Sequence, residues 1–106
     1  MEVNEAYQTL KHYLSKEFIE DRTTEDVLLS AENSWLMPLP WFFAATAYAR
    51  DGDKEQFEKA LKSAAKNYAQ ILEGGNAKTK IRKEAEATDT LAGNAEKAWE
   101  LVRAEL

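Results

Sequence analysis

The chain has 106 residues, 44% of them hydrophobic and 31% charged, enough to bury one core without a metal or disulfide staple. It contains no cysteine, which excludes disulfide frameworks, thiolate zinc sites and cysteine nucleophiles. Acidic residues number 19 against 14 basic ones, a net charge of −5, which disfavours general nucleic-acid binding.

The chain start, Met1-Glu2-Val3-Asn4-Glu5, is acidic where a secretory signal needs a basic start and an apolar run. A first helix is predicted over residues 4–20, capped by Asn4, with Val3, Tyr7, Leu10, Leu14 and Phe18 on one stripe. A short second helix is predicted over 24–34. Thr23 with Asp26 approximates a capping box, and Val27, Leu28, Ala31 and Trp35 form the inward side. Residues 34–40 cannot continue it, because Pro38 and Pro40 remove donors and push Met37 and Leu39 out of the helical region. The near-apolar run 35–45 is about half the length of a membrane span, so no span is expected and a cytoplasmic location is.

A third helix should begin at Pro40, suited to a first helical position, and end at Arg50 or Asp51 with Gly52 in the left-handed conformation. Asp53 and Gln56 form a capping box for a fourth helix that Gly74-Gly75 stops. Its stripe is Phe57, Leu61, Ala64, Tyr68 and Ile71. One long final helix is predicted over 76–105. Ile81, Ala85, Thr88, Ala92, Ala95, Trp99, Val102 and Leu106 keep one phase across the weak point Gly93-Asn94. The expected fold is one all-α domain over 1–106, with four to five helices. A hairpin of helices at about 40–51 and 53–73 is packed by an N-terminal helix pair and the long C-terminal helix.

The hairpin resembles a tetratricopeptide repeat (TPR). With the family's Trp on Trp41, the small pair falls on Ala44-Ala45, Ala-Tyr on Ala47-Tyr48, the turn on Gly52-Asp53 and the late Ala on Ala64. Phe57, Leu61 and Ala69 depart from the pattern, and there is no second copy. A weaker likeness, over residues 47–61 and 81–101, is to the three-helix MIT domain. That likeness implies binding of short helical peptides.

Three functional readings follow. The first is a non-catalytic protein-binding module whose contact is Trp35, Met37, Trp41 and Phe42 with Tyr48 behind, its partner a protein or a second copy in a homodimer. Trp41, Phe42 and Phe43 cannot all face one way on a helix, so either the helix is covered on several sides or a ring is exposed. The second is a small acidic inhibitor or immunity-type protein that blocks a basic site through Glu17, Glu20, Asp21, Glu25 and Asp26. The third is a carboxylate enzyme using Glu17 and the single histidine, His12. No cofactor or metal site is expected. Glu84 and Glu86 are expected at the surface, paired with Lys80, Arg82 and Lys83.

Overall fold

Residues 1–106, described by a computed structural model, form six α-helices and no strand. The helices are α1 (Val3–Leu10), α2 (Thr24–Glu32), α3 (Leu39–Asp51), α4 (Lys54–Glu73), α5 (Thr79–Gly93) and α6 (Ala95–Ala104). A single 3-10 turn lies at Lys16–Phe18. The all-α class is as expected, with one helix more than the upper count.

Local chemistry sets most boundaries. The Thr23 hydroxyl accepts from the Asp26 N–H at 3.1 Å and caps α2. Pro38 and Pro40 flank the first residue of α3, where missing N–H groups cost nothing. Gly52 ends α3 at φ 79°, and the Asp53 N–H reaches back to the Tyr48 carbonyl at 2.9 Å. The Asp53 carboxylate then accepts from the Gln56 N–H at 3.2 Å to start α4. The reciprocal bond of a capping box is missing because the Asp53 N–H already serves Tyr48.

The first helix departs from the expected 4–20. It starts at Val3 behind Glu2, so Asn4 lies inside it and caps nothing. It ends at Leu10, and Ser15 is extended (φ −87°, ψ 140°) with its hydroxyl accepting from the Glu17 N–H. A continued helix would have carried Phe18 inward and rotated Ile19 about 100° away. The break buries Ile19 instead and leaves Phe18 near the surface, stacked on Phe43 with ring centroids 4.7 Å apart.

The expected single helix over 76–105 is two helices. Asn94 takes φ −132°, ψ 48°, outside the helical region, and its side-chain amide donates to the Thr90 carbonyl at 2.8 Å. That bond satisfies one of the carbonyls freed at the end of α5. The bend lets α6 bury Ala98 and Val102 and lets Arg103 donate to the Ala49 carbonyl near the end of α3 at 2.6 Å. Inward positions shift accordingly. Leu91 and Ala98 are buried, whereas Ala92 and Ala95, expected on the seam, are half-buried.

The core draws buried apolar side chains from every helix, with α3 at its centre. Phe42, Ala44, Ala45, Ala47 and Ala49 are all fully covered, and α3 touches α2, α4, α6 and the 3-10 turn. Its alanines let the neighbouring helices approach closely. α3 and α4 run antiparallel: Gly52-Asp53 joins them at one end, and Asn67 of α4 bonds the chain entering α3 at the other. This geometry is shared by many antiparallel helix pairs and is not specific to a tetratricopeptide-type hairpin. α5 packs between α1 and α4.

Candidate functional site

The connection from α2 to α3 begins where the helix runs out of partners. The Ser34 hydroxyl donates to the Ala31 carbonyl at 2.8 Å, and the Met37 N–H closes a turn onto the Ser34 carbonyl at 3.2 Å. Between them Trp35 takes φ 55°, and no other non-glycine residue in the chain has a positive φ. For an aromatic residue this conformation costs about 1–2 kcal/mol. It is held from below. Asn67, buried on α4, donates its side-chain amide to the carbonyls of Trp35 (3.4 Å) and Met37 (3.3 Å).

With its backbone fixed from beneath, the turn points its side chains outward. Trp35 is 90% exposed, Met37 59% and Leu36 44%. Leu29, one turn before Asn33 on α2, is 59% exposed. Glu32 and Asn33 stand beside the indole. A turn in the left-handed conformation, bonded to Asn67, thus leaves a large apolar ring in water.

Of the five residues expected at a partner contact, Trp35 and Met37 are brought together at the surface, and Trp41 and Tyr48 are half-buried. Phe42 is fully buried and is not a surface contact. Its ring stacks on Tyr13 at 5.8 Å between centroids and lies 6.2 Å from Tyr68. The central position of α3 decides this: Phe42 points at the core, and Trp41 and Phe43 fall about 100° to either side. The Tyr48 hydroxyl is held above its ordinary value, first by burial and then by the carboxylates of Asp53, Glu32 and Asp51.

Glu17, Glu20, Asp21, Glu25 and Asp26 are all exposed, spread over the 3-10 turn, the loop after it and the first turn of α2. None takes part in an ion pair. The loop beneath them is tied down by Arg50, which donates to the Ile19 carbonyl (3.0 Å), the Arg22 carbonyl (3.1 Å) and the Thr24 hydroxyl (3.0 Å). His12 is exposed, edge-on to the Phe18 ring at 5.5 Å. No three His, Asp or Glu side chains converge in a way that could hold a metal ion.

Glu84 corrects another expectation. It is 5% exposed and pairs with no cation. One carboxylate oxygen accepts from the Tyr13 hydroxyl at 2.6 Å and the other from the Tyr68 hydroxyl at 3.1 Å. The bond to Glu84, helped by burial and by the carboxylate's charge, pushes Tyr13 up to about 12. Burial first, then the charge of Glu84, raises Tyr68 further. This clasp ties the turn after α1 to α4 and α5. Its signal in the sequence was phase: Glu84, Thr88 and Leu91 share one helical face, and all three are buried.

Comparison with family models, characterised proteins and solved structures returns no match to this chain. No helix is long and apolar enough to cross a membrane.

Proposed function

We propose that the chain is a small protein-binding module without catalytic chemistry, and that its contact is the turn carrying Trp35, Leu36 and Met37. The observation that carries this reading is Trp35, a ring 90% exposed in a left-handed conformation and pinned by a buried asparagine. Covering an indole removes roughly 150–250 Å² from water, about 4–6 kcal/mol by area, before the costs of association. Trp41, half-buried in the first turn of α3, adds apolar surface close to the turn in sequence. The resemblance of residues 38–71 to a tetratricopeptide repeat points the same way. The contact, however, would be the turn before the hairpin and not a concave groove, which needs tandem copies.

The test is a Trp35→Ser, Met37→Asp double variant, compared with the native chain in affinity capture from native lysate and in sedimentation. Loss of capture or of self-association with an unchanged circular dichroism spectrum supports the surface. Unchanged behaviour in both assays overturns it.

The five unpaired carboxylates from Glu17 to Asp26 support a second reading, a blocker of a basic site. Salt separates the two. Binding through carboxylates weakens about tenfold or more between low and high ionic strength, while the Trp35 contact changes little.

A further inference from the structure

We propose that the partner at this turn is a second copy of the chain, the two paired about a two-fold axis with Trp35 of each seated in the α4–α5 cleft of the other. The inference rests on the protein-binding reading above and names the partner.

A projecting ring needs a hole, and the chain carries one at the same end of its helix array. Where α4 passes into α5, Ile71, Gly74, Asn76, Ala77, Lys78 and Ile81 line an open cleft of about 350 Å³. Its exposed wall surface is mostly apolar, and it is large enough to admit an indole. Ile71 is half-buried and no part of the central core, so the cleft is a surface feature.

Ring and cleft lie at the same end of the helix array, the ring before α3 and the cleft after α4. Asn67 of α4 holds the Trp35 and Met37 carbonyls, and Ile71 stands one turn further along the same face of α4. A two-fold contact requires one patch to carry both a feature and its complement, so that each copy gives and receives the same interaction. A two-fold axis between ring and cleft forms both contacts at once and closes at two copies.

Charge agrees with this arrangement. Glu32 lies beside Trp35 and Lys78 beside the cleft, and neither has an ion-pair partner within the chain. Seating the indole brings Glu32 of one copy toward Lys78 of the other, twice. Covering Trp35, Leu36, Met37 and the cleft walls removes roughly 500 Å² per copy, about 1,000 Å² in total, the threshold for a specific interface. The general repulsion between two chains of charge −5 is screened over about 8 Å at physiological salt.

Analytical ultracentrifugation of the purified chain, from low micromolar to near-millimolar concentration, tests the pairing. The native chain should show a monomer–dimer equilibrium. Trp35→Ser and Ile71→Lys should each weaken it on the order of a hundred-fold, with circular dichroism unchanged. Glu32→Lys and Lys78→Glu should each weaken it roughly five-fold, and the double charge swap should restore it, which a purely structural role would not produce. A chain that stays monomeric throughout overturns the second copy as partner. The binding surface itself would then be judged by Trp35-dependent capture in lysate. A dimer indifferent to both Trp35→Ser and Ile71→Lys overturns the proposal by placing the interface elsewhere.

Discussion

Replacing Tyr13 by Phe removes one hydroxyl and leaves the ring stacked on Phe42. The lost bond is short, 2.6 Å, and ends on the carboxylate of Glu84, which is buried and has no cation to fall back on. Hydrogen bonds to charged groups contribute about 1.5–3 kcal/mol. Tyr13 is half-buried, and solvent screening reduces the effect, so a loss of about 2 kcal/mol at neutral pH is expected. For a domain of this size that lowers Tm by about 10 °C.

The same bond predicts a pH dependence. The folded chain keeps the Tyr13 proton up to about 12, against an ordinary value of 10.0. Between those values the unfolded chain has lost a proton that the folded chain retains, so stability falls as pH rises. The contribution is complete below the ordinary tyrosine value and is lost as pH rises through about 12. Tyr7, Tyr48 and Tyr68 are also raised, so the native decline is a sum. Tyr13→Phe should make it shallower without abolishing it. Urea unfolding followed by far-UV circular dichroism, from neutral to strongly alkaline pH, reads both effects. A cost below about 0.5 kcal/mol at neutral pH, with a native alkaline slope, would refute the clasp.

Three further outcomes follow from the geometry. Trp35→Asn should leave stability unchanged or raise it by about 0.5–1 kcal/mol in chemical unfolding, since asparagine tolerates the left-handed conformation and an exposed ring is lost. Arg50→Ala should cost about 2–3 kcal/mol and speed amide exchange from Ile19 to Thr24, because three bonds from one guanidinium fix that loop. Gly52→Ala should cost about 1–2 kcal/mol in a thermal melt. The added Cβ would meet only the Arg103 guanidinium at 3.9 Å, so the cost is the φ of 79° and not a clash.

The starts of α2 and α4, the proline entry to α3 and the left-handed Gly52 were legible in the sequence. Each depends on a residue acting within about four positions of itself: Thr23 on Asp26, Asp53 on Gln56, Gly52 on its own φ. Apolar phase likewise marked Tyr7, Leu10, Leu14, Phe57, Leu61 and Tyr68 as inward, and all are buried. What crossed the chain was not legible. α1 stops at Leu10, and the chain beyond it buries Ile19 and leaves Phe18 at the surface. The final helix bends at Asn94 because α6 gains Ala98, Val102 and the Arg103–Ala49 bond by turning back. In both cases an unbroken hydrophobic stripe fitted the chain, and contacts with residues far away in sequence decided against it.

The candidate site divides the same way. The prolines after Trp35 required an irregular connection, and that much is a local property of the chain. Whether its rings lay inside or outside depended on Asn67, which is 32 residues from Trp35 and fixes the turn by its carbonyls so that the indole faces water. Glu84 waited on two hydroxyls from two other elements, one of them 71 residues away. Sequence by itself therefore determined the helical class and the caps of α2 and α4, because these are settled within a turn of chain. Only the tertiary structure decided that Phe42 is core, Glu84 is buried and Trp35 is exposed, because burial depends on what the rest of the chain places opposite each side chain.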